Sequence, residues 1–227
     1  ELKVLDIINE LNSNDNVHGI LVQLPLPKHL NSKKILNSVS ASKDVDGFHP
    51  KNLGCLLEGS PNFIPCTPYG VIEILKYYNI PTSGRHVVII GRSNIVGKPM
   101  FALLAQKFEI GNATVTMCHT GTKNLINFTK QADIIIAAAG SPQMIDGPML
   151  KIGVDIIDVG INRINDDSEK GYKLVGDVNT DSVMGIANSV TPVPGGVGPM
   201  TITMLLCNTI LSAEKKMESV ANKISIN

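Results

Sequence analysis

The apolar positions change period several times along the chain. Over ELKVLDIINELN, Leu2, Leu5, Ile8 and Leu11 recur on one side and predict an amphipathic helix over residues 1–12. VHGILVQ (17–23) is nearly all apolar, which predicts a strand buried on both faces, and LPLP stops it. A helix-like stretch follows over 31–39, then KDVDGFHP (43–50) and a Gly/Pro-punctuated region that ends in IPCTPYG (64–70). From Tyr69 to Tyr78, Val71, Ile74, Leu75 and Tyr78 stand at helical spacing, and Pro81 is expected to end that helix. The pattern then becomes regular. It runs through strand HVVII (86–90), a glycine-containing turn, helix KPMFALLAQKF (98–108) and strand ATVTMC (113–118), with further strands at DIIIAAA (133–139) and VDIIDVG (154–160). TPVPGGVGPMT (191–201) breaks the alternation, and the apolar MTITMLLCNTILSA predicts a last helix that returns to the first lobe. Strands alternating with helices imply an α/β fold in two lobes, the second with the parallel sheet of a dinucleotide-binding domain.

Composition narrows the function classes. Lys plus Arg and Asp plus Glu both total 20 in 227 residues, so no global field attracts nucleic acid or an anionic membrane, and a small-molecule partner is expected. Cys55, Cys66, Cys118 and Cys207 lie far apart without a C-x-x-C pair, which argues against a zinc site and a disulfide framework and for a reducing, cytoplasmic setting. His49, His86 and His119 lack metal-ligand spacing to an acid or cysteine, so no metal is expected and each reads as a surface or packing residue. No apolar run approaches the roughly 20 residues of a membrane helix.

Candidate chemistry collects at a few turns. GRSNIVG, Gly91 to Gly97, follows a strand and opens a helix, where backbone N–H groups and the helix dipole hold a pyrophosphate. Its spacing departs from G-x-G-x-x-G, since Ser93 takes the second glycine's place and the last glycine is one residue late; an ordinary strand-to-helix turn is the alternative. An NAD site usually ends its second strand with an acid that binds the ribose, whereas residues 118–123 here read CHTGTK. With Arg92 beside the first glycine and Thr120 as a hydroxyl donor, NADP is favoured, against the reading of Arg92 as a solvated loop residue. Gln23, at the carboxyl end of its run, suits a ligand crevice or a turn cap. Asp44 and Asp46 flank Val45 and point the same way if extended, or serve Asx turns. In TPVPGGVGPM the prolines stiffen the approach and Gly195, Gly196 and Gly198 allow close approach to a flat ligand, or form an interdomain hinge.

Taken together, VQLPLP (22–27), KDVDGF (43–48), PCTP (65–68), GRSNIVGKPM (91–100), DVGIN (158–162), GDV (176–178) and TPVPGGVGPMT resemble, in order and spacing, the bifunctional methylenetetrahydrofolate dehydrogenase/methenyltetrahydrofolate cyclohydrolase family. The resemblance implies oxidation of 5,10-methylenetetrahydrofolate with NADP and hydrolysis of the methenyl product to 10-formyltetrahydrofolate, in one-carbon metabolism, by a homodimer. It implies that Gln23 tunes the catalytic lysine, that Asp46 binds the pterin, and that Gly91, Arg92, Ser93 and Gly97 form the phosphate turn. Thr120 is implied as a 2′-phosphate contact, Ile161 as a nicotinamide-side contact, and Pro194, Gly195 and Gly196 as the loop beside both ligands. The implied domains are a folate-binding part over 1–68, a coenzyme-binding part over 69–193, and a loop and helix over 194–227 returning to the first. The family's Tyr-x-x-x-Lys motif has no counterpart here, and Lys43 is not promoted to replace it. The chain is therefore expected to be the larger part of a longer enzyme, with a cyclohydrolase step near the uncatalysed rate on its own. A non-catalytic folate- or nucleotide-binding module and a dehydrogenase of another substrate class are the rivals.

Overall fold

In a computed structural model, residues 1–167 and 169–224 are described, and they fall into two compact units, one of residues 1–66 with those from 202 on and one over residues 67–201. The later boundary lies after Thr201, so the 194–201 segment belongs with the second unit rather than with the first.

The first unit is helical. Helix α1 (Leu2–Ser13) buries Ile8 and turns Val4, Leu5 and Leu11 toward Ile20, Ile35 and Val39, while Leu2, expected on that face, is exposed in the first turn. Helix α2 (Ser32–Ser38) starts where the Asn31 side chain accepts from the Lys34 amide, and α3 (Pro50–Glu58) has proline in its first turn, where no intrahelical partner is lost. Gly59, in the left-handed region at φ 97°, ends it. Residues 17–23 do not form the strand expected. Ile20 makes one parallel bridge, to Asp44, and its amide donates to Lys43 O at 2.7 Å. A strand buried on both faces needs a paired ladder covered by layers above and below, and with a single bridge the run alternates instead, Ile20 buried and Leu21 46% exposed.

The second unit carries a five-stranded sheet. Its strands are β1 (His86–Ile90), β2 (Thr114–Cys118), β3 (Ile134–Ala137), β4 (Asp155–Asp158) and β7 (Ser189–Val190), all parallel in the order β2-β1-β3-β4-β7. Every residue of β3 and β4 is buried, as covered parallel strands require. On one face Val88, Ile90, Ile135, Ala137 and Ile156 pack with Ile145, Val154 and Val178. Helix α5 (Gly97–Ala105) lies against β1 and β2 and buries Met100, Leu103 and Leu104. It stops three residues short of the expected Phe108, because the chain leaves helical geometry at Gln106, whose ψ is 153°. Helix α4 (Cys66–Tyr77) begins three residues before Tyr69 and buries Val71, Ile72, Ile74 and Leu75. Tyr78 does not share that face; it is exposed, and Asn79 at φ 53° ends the helix with Ile80 N donating to Leu75 O. Shorter helices α6 (Leu125–Thr129) and α7 (Thr180–Val183) complete the connections. An antiparallel hairpin of β5 (Asn162–Asn165) and β6 (Tyr172–Val175) was not foreseen from the sequence. The last helix, α8 (Val197–Ile224), is longer than the apolar run that predicted it.

Candidate functional site

The sheet reverses its winding at β1, which has β2 on one side and β3 on the other; ligands of open α/β sheets bind at the carboxyl ends of strands beside such a switch. Gly91 leaves β1 at that point. Its amide donates to Cys118 O at 2.9 Å, and Ala138 N donates to Ile90 O at 2.8 Å, so the ends of β2 and β3 close on it from both sides. Its φ of 132° and the Ala138 carbonyl, which a Cβ at this position would overlap, both demand glycine. A Cβ on Gly97 would in turn overlap Gly91 O, so the turn folds tightly onto itself.

Within this turn Ser93 has a mixed role. Its hydroxyl oxygen accepts from Val96 N at 3.0 Å and Gly97 N at 3.4 Å, which orders the start of α5 and leaves its O–H proton to donate outward. The amides of Arg92, Ser93, Asn94 and Ile95 donate to no protein acceptor among the described residues, a row of N–H groups suited to an anion. Arg92 is exposed and makes no side-chain ion pair or hydrogen bond among the described residues. After β2, His119 N donates to the Thr122 hydroxyl and Gly121 N to His119 Nδ1, which shapes a turn that leaves Thr120 exposed. His119 is thereby a turn residue; His86, bonded to Thr116 Oγ1, and His49, accepting from Lys51 N, are structural as well.

Two carboxylates that sequence reasoning missed brace the neighbouring loops. Asp158, buried at the end of β4, accepts from the amides of Gly160, Asp177 and Val178. Burial raises its pKa while those amides draw it back down. Asp177 accepts from the amides of Ala139, Gly140 and Ser141 and from Asn162 Nδ2 at 2.6 to 2.9 Å. A Cβ on Gly160 or Gly176 would overlap one of these carboxylates, so the glycines beside them in DVG and GDV are the available signal. The clasp ties the loop after β3, which begins at Ala138, to the segment after β4 that carries the exposed Ile161. Ile161 Cδ1 is 3.7 Å from where a Cβ on Gly198 would stand. In the 194–196 loop Pro194 and Gly195 are exposed, Gly195 has φ 103°, and a Cβ on Gly196 would stand 2.5 Å from Pro192 O. Gly195 and Gly196 border a groove of about 640 Å³ with Ile74, Tyr78, Pro192 and Met200.

The first unit holds Gln23 and Asp46. Gln23 is exposed and its amide donates to Leu24 O at 3.0 Å, which is the turn-stabilising geometry. Asp44 and Asp46 do not lie on an extended segment. The chain turns between them, with Gly47 N donating to Asp44 O, and the Asp44 carboxylate accepts from Phe48 N, His49 N and Asn52 Nδ2. Asp44 thus braces the loop that leads into α3, accepting from residues four, five and eight positions on, a longer reach than an Asx turn, while His49 caps the helix itself. Among the described residues no backbone amide donates to the Asp46 carboxylate, which is met by the Cys66 thiol at 3.9 Å. Burial, with the Asp44 charge adding to it, pushes its pKa up to about 6. Lys43 is fully engaged, its ammonium donating to the carbonyls of Leu11, Asn12 and Asn14.

Comparison with known proteins places the chain. Residues 65–217 match the tetrahydrofolate dehydrogenase/cyclohydrolase NAD(P)-binding domain, and residues 1–46 match the catalytic domain of that name. The bifunctional protein FolD of Chlorobium chlorochromatii is 55% identical over 215 residues, covering 93% of this chain and 73% of the relative. FolD of Halobacterium salinarum is 53% identical over 213 residues, covering 94% and 72%. Among solved structures, the bifunctional FolD methylenetetrahydrofolate dehydrogenase/cyclohydrolase of Campylobacter jejuni superposes with a TM-score of 0.86 at 52% identity, over 94% of this chain and 73% of that one. The Trypanosoma brucei methylenetetrahydrofolate dehydrogenase-cyclohydrolase, complexed with NADP and an inhibitor, gives 0.88 at 37% identity, over 95% and 73%. The chain belongs to the tetrahydrofolate dehydrogenase/cyclohydrolase family.

Proposed function

We propose that the protein oxidises 5,10-methylenetetrahydrofolate with NADP and hydrolyses the methenyl product to 10-formyltetrahydrofolate, the two activities of its bifunctional relatives, and that the residues described above carry the recognition steps. The observation that supports this most directly is the turn after β1. Its four undirected amides and the glycine pressed against Ala138 O form a cradle for a pyrophosphate. NADP, when bound, supplies the hydride acceptor. Arg92 then meets the 2′-phosphate with a guanidinium that has no carboxylate to compete for it, Thr120 adds a hydroxyl, and the Ser93 O–H faces the phosphates. Ile161 and the Pro194–Gly196 loop border the nicotinamide, and their small or apolar surface excludes water from the reacting carbon.

Asp46 receives the pterin in this proposal. An ionised carboxylate accepts two parallel hydrogen bonds from an amino-pyrimidine edge, and one without backbone donors has those lone pairs available. Gln23 spends an amide proton on Leu24 O and keeps its amide oxygen to accept from a lysine amine such as the family's Tyr-x-x-x-Lys motif supplies, the group that moves protons in the hydrolytic step, although no such motif stands in these 227 residues. The enzyme acts as a dimer in a reducing, cytoplasmic setting, with all four thiols free; sedimentation as a monomer at micromolar concentration speaks against the dimer. Among the described residues no helix is long and apolar enough to cross a membrane.

Coenzyme titration tests the assignment. Arg92→Ala is expected to weaken NADP binding by about 1–3 kcal/mol, the range for a charged hydrogen bond, and to leave NAD binding nearly unchanged. Equal losses for both coenzymes overturn it.

A further inference from the structure

The turn that presents Asp46 is held from the far end of the chain. Asn208, on α8 and 1% exposed, donates through its side-chain amide to Val45 O at 2.8 Å and to Ile64 O at 2.9 Å. Those two carbonyls belong to the residue before Asp46 and to the residue two before Cys66. The same nitrogen lies 3.7 Å from Cys66 Sγ. The amide has two protons, and the two carbonyls use both, so the sulfur contact is packing that fixes the thiol's place. Gly47 tightens the arrangement, because a Cβ there would stand 2.8 Å from Pro65 N. The two segments therefore meet face to face with Asn208 as their common donor.

Cys66 completes the chain of contacts. It is 2% exposed, and its thiol faces Val45 O at 3.4 Å and Asp46 Oδ1 at 3.9 Å. Burial, followed by the Asp46 charge, pushes its pKa up to about 12, so it is a protonated donor at neutral pH. Asp46 accepts no other hydrogen bond among the described residues, and Asp44 is the other charged group acting on it.

We propose that Asn208 is a positioning residue for folate recognition, fixing through Val45 O and Cys66 the direction in which Asp46 presents its carboxylate. The proposal rests on the reading of Asp46 as the pterin-binding group. A carboxylate aimed at a planar two-donor edge loses affinity when it can rotate, so the effect belongs to substrate affinity rather than to the coenzyme.

The test uses the whole enzyme and three variants whose folding is confirmed by thermal melts. Asn208→Ala is expected to raise the KM for methylenetetrahydrofolate by about tenfold, roughly the worth of one well-aligned hydrogen bond, with the NADP dissociation constant unchanged. If that variant does not fold, the Cys66 pair decides. Cys66→Ser supplies a stronger donor and Cys66→Ala supplies none, so carbon NMR titration of the Asp46 carboxyl is expected to move down in the first and up in the second. A residue that only fills space moves both in the same direction, and that result, or no movement, overturns the proposal. Opposite shifts with an unchanged folate KM uphold the contact between Cys66 and Asp46 and overturn the assignment of Asp46 to the pterin. Equal rises in folate KM and NADP dissociation constant in Asn208→Ala also overturn the proposal, since they report general loosening.

Discussion

Gly91 and Ala138 are in contact through backbone alone: the Ala138 carbonyl oxygen occupies the space where a side chain on residue 91 would begin. The contact joins the first residue after β1 to the loop after β3, and the φ of 132° at Gly91 lies where L residues are strained. Gly91→Ala is therefore expected to destabilise the second unit by about 3 kcal/mol or more, from backbone strain and from the displaced loop together. NADP affinity falls in the fraction that stays folded. A melt within about 0.5 kcal/mol of the parent would show that the loop yields freely and that the close approach is not what shapes the cradle.

The Asp177 clasp makes a separate prediction. Replacing it by alanine leaves the amides of Ala139, Gly140 and Ser141 and the side chain of Asn162 without their acceptor. Unmade hydrogen bonds to partly buried amides cost about 1–3 kcal/mol each where water cannot replace the acceptor. Asp177→Ala is expected to lower stability by about 3 kcal/mol and to speed amide exchange at residues 139–141 more than elsewhere in the sheet. Uniform exchange across the unit would mean that the carboxylate serves global stability and not this loop.

The sheet was legible in the sequence because buried parallel strands are written as unbroken apolar runs. HVVII matches β1 from end to end, and DIIIAAA and VDIIDVG enclose β3 and β4. The same signal misled at VHGILVQ, since an apolar run reports burial and not the presence of partner strands. NRIN and YKLV are only four residues each and neither alternates polar with apolar residues throughout, so no period stands out, and their pairing as β5 and β6 depends on each other. At the candidate site, glycine spacing marked the tight turn after β1, but not that Ser93 spends its acceptor capacity on the start of α5. The carboxylates of Asp158 and Asp177 read as ordinary acids beside glycine. Their bracing role comes chiefly from amides on loops distant in sequence, a tertiary fact that no local pattern carries. The brace on Asp46 is more remote still, because Asn208 reaches it from 162 positions away.

Asp46 links the proposed folate site to stability in a way that pH exposes. Its pKa is raised from 3.8 to about 6, chiefly by burial and then by the Asp44 charge. Between those values the folded protein holds a proton that the unfolded chain has released, so stability falls as pH rises through this window and the full penalty is present above it. A shift of about two units corresponds to roughly 3 kcal/mol, and the partial exposure of Asp46 reduces that to about 1–3 kcal/mol. Asp46→Asn removes the charge and keeps the shape. It is expected to stabilise the protein by about 1–3 kcal/mol near pH 7.5, measured by urea unfolding, and to give almost no gain near pH 4, where the parent carboxyl is protonated in the folded state. The same substitution replaces one acceptor oxygen by a donor, so it is expected to weaken methylenetetrahydrofolate binding by about 1.5–3 kcal/mol at neutral pH. In the parent, folate affinity is expected to decline as pH drops through about 6, because the neutral carboxyl no longer accepts both hydrogen bonds. A stabilisation equal at both pH values would trace the gain to packing, and Asp46 would then hold no charge at a cost to the fold. A gain confined to neutral pH, accompanied by loss of folate binding, is the signature of a carboxylate kept ionised for its ligand against the preference of its surroundings.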